Sequence, residues 1–278
     1  TVTFNILYGD TAGNLGVEVL ASTDGSWVRF DGTLPTLTDV SFISTNNLDR
    51  DMAMVGDTLY LDFISDEDLL TRDVIIAGNI ADTTFENQNY RTPFRSWRIM
   101  DGTENEGYIP FKIGFSDLVG NVGDTVEATT DETSILFDMT PPADFELDTV
   151  FVSGGNIVLG YWNSTNDSVT LKVPVPADDE TLIGGIFQPQ VRFGDSSFIN
   201  LGNEISITGG LSIGNMELKI TRSEFVAMDG FDEGENARFT AIARDKAGNE
   251  TIGTSDNSIL HIDETVPELT SVNIYSND

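Results

Sequence analysis

Carboxylates at fixed spacing are the residues of this 278-residue chain with chemistry to offer. The frame Asp-x-x-Gly-Asn occurs three times, as DTAGN at 10–14, DLVGN at 117–121 and DKAGN at 245–249. A second acidic frame runs ahead of the last two: Asp101 precedes Asp117, and Asp229 precedes Asp245, by the same sixteen residues. In a third frame, Asp31, Asp138 and Asp263 each stand four residues before a proline, at Pro35, Pro142 and Pro267. Carboxylates are hard oxygen ligands. Calcium takes about six to eight such oxygens in flexible geometry, whereas magnesium demands a tighter octahedron. Cation binding is therefore one chemistry open to these residues. The other is turn formation, with the aspartate capping a turn and the glycine supplying a positive φ.

Composition narrows the field. There are 46 acidic residues against 14 basic ones, for a net charge of −32. A nucleic-acid binder needs a basic footprint, and this chain has none. Such a charge is either a solvated acidic surface or a set of carboxylates organised around cations, which would relieve the self-repulsion. With no cysteine in the chain, disulfides, zinc–thiolate sites and thiol chemistry are excluded. The single histidine, His261, lies in the strand-like ILHID and reads as structural. There is no P-loop, HExxH or nucleophile elbow. Among so many acids, carboxylate pairs of the glycosidase kind arise by chance, so no enzyme is expected. DGFDEGE at 229–235 lacks the ligand order of an EF-hand loop. Asn163 in NST and Asn249 in NET fit the glycosylation pattern. Trp27, Trp97 and Trp162 read as core or interface anchors. Trp162, beside the polar run of GYWNSTND, is the candidate platform for stacking a sugar. No apolar run approaches the ~18 residues of a membrane helix, and no basic-then-apolar leader opens the chain.

The elements that must position these residues are strands. TLYLDFIS (58–65), YIPFKIGF (108–115), SVTLKVPV (168–175), MELKIT (216–221) and ARFTAIA (237–243) alternate or are rich in β-branched and aromatic residues. Gly, Asn, Asp and Ser clusters separate them, and no stretch reads as a capped helix. With Met100 aligned on Met228, MDGTENEGYIPFKIGFSDLVGN matches MDGFDEGENARFTAIARDKAGN without a gap. SILFDMTPP (134–142) then matches SILHIDETVP (258–267), and PTLTDVSFISTNN matches PELTSVNIYSND. The pattern predicts an all-β tandem array. Residues 1–35 are the last two strands, F and G, of a preceding unit. Residues 36–142 are a complete unit, 143–267 a larger one, and 268–278 the first strand of a following unit.

The series VSFISTNN…VGDTLYLDF…DVIIAGN…SWRIMD…EGYIPFKIGFSDLVGNVG…ILFDMTPP resembles the bacterial Ig-like repeats of large secreted adhesins and surface filaments. The resemblance implies β-sandwich domains of about seven strands, a bacterial cell-surface location, structural calcium at domain junctions, and no enzyme activity. The 143–267 repeat lacks a VGD-like segment and carries GYWNSTNDSVTLKVPVPADDETL instead, which predicts an altered edge or an inserted hairpin.

On such a sandwich the F–G connection lies at one pole, and the end of G with the entry to F at the other. Asp101, Glu104, Glu106 and Asp138 are then expected to gather with Asp245, and Asp31 to meet Asp117. Asp229, Asp232, Glu235 and Asp263 would meet a residue of a following unit. The expected function is a non-enzymatic extracellular repeat segment that extends and stiffens a surface chain through Ca2+ at these junctions. Its partners would be neighbouring repeats, other copies in a filament, and a surface glycan or protein. The alternative is a carbohydrate-binding module centred on 143–267.

Overall fold

The computed structural model describes residues 2–84, 93–175, 179–208, 214–255 and 258–275. The chain divides into two compact units. One comprises Thr1–Phe42, Tyr60–Arg98 and Pro110–Thr133; the other comprises Ile43–Leu59, Ile99–Ile109 and Ser134–Asp278.

In the first unit, alternation of apolar and polar residues along each strand sends one set of side chains inward. One sheet runs in the order Leu37–Ser44, Thr58–Ser65, Phe94–Ile99, Asp82–Thr84; the other runs Asn79–Ile80, Leu69–Ile76, Phe111–Asp117. Val40, Phe42, Leu61 and Phe63 of the first sheet and Val74, Ile76, Phe111, Ile113 and Phe115 of the second are buried. The rings of Phe42 and Phe111 meet edge to face, 5.4 Å between centroids, which seats one sheet on the other. Leu69–Ile76 and Phe111–Asp117 pair antiparallel, with a register shift between Leu69 and Thr71 just beyond the acidic run Asp66–Asp68. The N-terminal residues form a thinner hairpin, with bridges Ile6↔Val19 and Gly9↔Leu15 and the Val2 amide donating to the Val28 carbonyl.

The second unit carries an antiparallel sheet in the order Thr149–Ser153, Ser168–Pro174, Asn215–Thr221. Facing it is a larger sheet in which Tyr161–Asn163, Leu260–Asp263, Asn236–Arg244, Ile186–Phe193 and Ile199–Asn200 succeed one another. One contiguous core fills the space between, built on Val169, Leu171, Phe187, Val191, Leu218, Ile220, Phe225 and Phe239. A small sheet of Met52–Ala53, Leu136–Phe137 and Gly107–Tyr108 belongs to this unit too.

Three features correct the sequence reading. First, the edge that differs in the 143–267 repeat lies after GYWNSTNDSVTLKV, where Ile199–Asn200 and Ile205–Ser206 pair antiparallel with Ile186–Phe193. Tyr161–Asn163 pairs parallel with Leu260–Asp263, as Met52–Ala53 pairs parallel with Leu136–Phe137. Ser168–Pro174 then takes the centre of its sheet, as Thr58–Ser65 lies between two strands of its own. TND takes the place of VGD in sequence, and the extra length falls between Pro174 and Asn215. Second, there is a capped helix, Arg222–Val226, with a reciprocal capping box between Thr221 and Glu224. At five residues it is too short to register as a helical period. Its work is to drop Phe225 among Trp162, Phe231, Phe239 and Phe193.

Third, Trp162 is 0% exposed and cannot stack on a sugar. Its indole Nε1 donates to Glu264 Oε1 at 2.8 Å. Arg222 donates to the same oxygen at 2.6 Å and lies 5.4 Å over the ring. Removing so large a buried aromatic creates a cavity, and here it also strips a partner from a half-buried ion pair. Trp162→Ala is expected to destabilise the fold by about 3–5 kcal/mol, read from the midpoint of urea unfolding. A loss below ~1 kcal/mol would contradict this core role.

Candidate metal centre

The three Asp-x-x-Gly-Asn loops fold alike, and the aspartate is the reason. Asp117 Oδ1 accepts from the amides of Val119, Gly120 and Asn121 at 2.9, 2.7 and 2.8 Å. Its Oδ2 accepts from Asn121 Nδ2 at 2.7 Å. Asp10 takes the amides of Ala12 and Asn14 and the Asn14 side chain. Asp245 takes the amides of Gly248 and Asn249 and the Asn249 side chain. Gly13, Gly120 and Gly248 have φ of 89°, 97° and 105°, where a Cβ would be strained. The phrase is thus a turn closed on a carboxylate.

The proline-associated frame is a turn as well, and its full form is Asp-x-Thr-x-Pro. Asp31, Asp138 and Asp263 accept from the amides of Thr33, Thr140 and Thr265 at 3.2, 3.0 and 3.3 Å. The two turns then join through the asparagine. In the first unit Asn121 Nδ2 donates to the carbonyls of Asp31 and Thr33 at 3.2 and 3.1 Å. In the second, Asn249 Nδ2 donates to the carbonyl of Asp138 at 3.1 Å.

This buckle brings carboxylates together. In the first unit Asp31, Glu67 and Asp117 each present an oxygen, all within 4.8 Å of one another, the one such group among the described residues. They line a cleft of about 220 Å³ with Arg29, Asp68, Leu118 and Val119. Asp117 is buried. Burial works against its charge, but the bonds from Asn121, Val119 and Gly120 outweigh it and hold the carboxyl below its ordinary value. Its Oδ2 accepts a single donor there and keeps a lone pair for a cation.

In the second unit the corresponding places are Asp138, Asp179 and Asp245. Burial foremost pushes Asp138 above its ordinary value, and the charges of Asp179 and Glu106 add to it against bonds from Thr181 and Thr140. Asp245 is raised too, by burial first and by the charge of Asp138, against the bonds from Asn249 and Gly248. Asp179 Oδ2 is buried and accepts no hydrogen bond, while its Oδ1 accepts from Thr181. Glu106 stands beside them, accepting from Met139 N and Thr140 Oγ1. Asp101 and Glu104 serve a turn of their own: Glu104 Oε2 accepts from the amides of Asp101 and Gly102, and Asp101 Oδ1 from Thr103. Asp229, Asp232, Glu235 and Asp263 are exposed. Asp232 accepts from Glu233 N, and Glu233 in turn from Glu264 N.

Glu67 and Asp179 are absent from the sequence reading. Each follows the central strand of its repeat inside an acidic run, SDEDLL at 65–70 and ADDETL at 177–182. Their common place after that strand was the available signal. Asn249 is excluded as a glycan acceptor: it is buried and its amide donates to two oxygens.

No protein-family model matches the chain, and no curated protein matches it. Among solved structures it is similar to dimeric latent PorU from Porphyromonas gingivalis, at TM-score 0.24 and 12% identity, over 84% of this chain and 21% of that one. It is also similar to the I9–I11 tandem from titin, at TM-score 0.25 and 12% identity, over 81% and 66%. A third is the surface glycan-binding protein PbSGBP-B from Prevotella bryantii, at TM-score 0.21 and 10% identity, over 80% and 42%. The chain thus spans about a fifth of the PorU chain's length. These likenesses are shallow, and the all-β sandwich fold rests on the sheets themselves.

The raised carboxyls set a pH dependence with a definite sign. An acid whose folded-state pKa exceeds its unfolded one costs stability progressively as pH rises through that interval, and costs nothing below it. Without metal, Asp138 and Asp245 therefore oppose folding at neutral pH and cease to do so as pH falls toward the unfolded value of about 4. Asp117, shifted down, behaves oppositely: its contribution is present above the unfolded value and is lost as pH falls through the folded one. In chelator at about pH 7, Asp138→Asn is expected to raise the melting temperature and flatten its rise on acidification. Asp117→Asn should cost about 1–3 kcal/mol, because loop amides lose a charged acceptor. Calorimetric melts from about pH 7 down to pH 5 check both; a destabilising Asp138→Asn would count against repulsion at this site.

Proposed function

We propose that this chain is a non-enzymatic segment of an extracellular bacterial surface adhesin or filament protein. Calcium held at each buckle locks the Asp-x-Thr-x-Pro tail of one repeat to the Asp-x-x-Gly-Asn loop of the next. One observation carries the reading. The same three places in the repeat supply carboxylates twice, Asp31, Glu67 and Asp117 in one case and Asp138, Asp179 and Asp245 in the other. The donor chemistry fits the ion: hard carboxylate oxygens, backbone carbonyls nearby, and no nitrogen or sulfur ligand. The second group also gains most from a cation, since its charges repel while buried. Glu106 could complete that group, and Asp68 the first.

A scaffold role follows from what the carboxylates are doing. Asp31, Asp117, Asp138, Asp179 and Asp245 hold loop amides, so they are committed to positioning backbone. The partners in this reading are neighbouring repeats of the same long chain, other copies in a filament, and a glycan or protein on the surface bound. Burial of Trp162 removes the feature that favoured a carbohydrate module centred on 143–267.

Extracellular modules bind calcium with Kd of about 10⁻⁴–10⁻³ M. At ~10 mM calcium each site then adds on the order of 1.4–2.7 kcal/mol, or about 3–10 °C in melting temperature. Calorimetry in calcium against chelator should show this gain, with magnesium failing to reproduce it. Titration calorimetry should show two sites, with Glu67→Gln removing one and Asp179→Asn the other. Equal melting in calcium and chelator, with no heat of binding, would leave the carboxylates as turn formers only.

A further inference from the structure

We propose that the outer face of the large sheet in the second unit binds an anionic sugar of a glycan, its acid group held between Arg192 and Arg238. The two arginines stand directly opposite each other on the paired strands Ile186–Phe193 and Asn236–Arg244. Both side chains leave the sheet on the side away from the core, since their strand neighbours Val191, Phe193, Ala237 and Phe239 are the buried ones. Like charges directly opposite across a sheet repel. The chain has 46 acidic residues, yet among the described residues no carboxylate is bonded to either guanidinium, neither Asp195 nor Glu235 at the adjoining turns. Elsewhere on the same strand the partners are supplied: Arg244 donates to Glu250 at 2.6 Å and to Glu204 at 3.0 Å.

The scaffold does not need this pair. Phe239 aligns with Phe111 in the repeat. Val191 faces Phe239 as Ile76 faces Phe111. Arg238 and Arg192 therefore fall on Pro110 and Ala77, which are joined by the bond from Ala77 N to the Pro110 carbonyl at 2.9 Å. The same two strands thus pair in the first unit with no charge at either place, and the arginines are an addition peculiar to the second.

The surroundings fit a sugar acid. The Arg192 guanidinium lies 5.0 Å over the ring of Phe198, which holds its fork in place. Its Nε is buried and makes no hydrogen bond, and neither does the buried Oδ1 of Asn236, two residues from Arg238. On one side of the arginine pair Asn236 faces His261; on the other Gln190 faces Thr240 and Asn200. Amides and hydroxyls both donate and accept, as ring hydroxyls require, and none of these side chains is a carboxylate that would repel the acid. Guanidinium forks take acid oxygens two at a time, a requirement that a uronate carboxylate and a sulfate ester share. A peptide is disfavoured, because both strands are already paired on each side and offer no free backbone for strand addition. Trp162 belongs to the core on the inner side of this sheet and takes no part.

The inference rests on the adhesin reading above for its setting but needs no metal, and its test is run in chelator so that the two fail separately. Titration calorimetry compares an oligogalacturonate, the same oligomer with its carboxyls reduced to alcohols, and a sulfated galactan oligomer. An acidic oligomer should bind, more weakly as salt is raised, and the reduced one should not; whichever acidic oligomer binds identifies the acid group. Arg238→Gln should weaken that binding about 10- to 100-fold, because a charged donor is lost, with a melting temperature unchanged or raised because a repulsion is lost too. Arg238→Glu, placed to pair with Arg192, should abolish binding and raise the melting temperature. Failure of both acidic oligomers to bind, equal binding of the reduced oligomer, binding that survives Arg238→Glu, or a melting temperature lowered by Arg238→Gln would overturn the proposal.

Discussion

The bond on which this structure depends is the one between the aspartate of Asp-x-x-Gly-Asn and the amides of its own loop. A strand that ends must leave backbone donors behind it, and buried donors without acceptors cost about 1–3 kcal/mol each. Asp117 answers with one carboxylate for three amides and a side-chain amide. The asparagine, oriented by that carboxylate, then has its remaining donor directed at the Asp-x-Thr-x-Pro turn. Loop closure and the joining of the two turns thus share one pair of side chains. This economy accounts for the invariance of the three short phrases within a chain whose strands otherwise diverge.

A net charge of −32 would be expected to strain any compact fold. Much of it is spent locally. Asp24, Asp31, Asp49, Asp131, Asp138, Asp179 and Asp263 each accept the amide two residues on. Carboxylates used in this way replace secondary structure at the strand ends, where glycine and asparagine turns would otherwise leave amides to solvent. At Asp138 and Asp245, burial and the charge of neighbouring carboxylates act together against ionisation. A cation bound there would relieve that repulsion and leave the turns in place, because the amides and the ion would address different oxygen lone pairs.

How much of this was legible in the residues follows the range of the interaction concerned. Strand identity is local: alternation in TLYLDFIS and ARFTAIA spells a half-buried strand whatever surrounds it, and Thr58–Ser65 and Asn236–Arg244 follow that spelling closely. The repeat is legible for a similar reason, since gapless recurrence of turn chemistry needs no partner to be seen. The pairings of Asp31 with Asp117 and of Asp138 with Asp245 were inferable once the repeat was set on a sandwich, because tail and loop share a pole.

Tertiary structure decided the rest. Trp162 sits in a polar-looking run, yet its ring is buried because Phe225 and Arg222, some sixty residues away, close over it. Glu67 and Asp179 look like members of solvated acidic runs, and only the path of the chain after the central strand turns them toward the buckle. The residues by themselves determined the strands, the turns and the repeat, because those depend on neighbours within a few positions. Which carboxylates converge, and which aromatic ring is hidden, depends on distances between segments far apart in the chain, and those exist only once the sheets have packed.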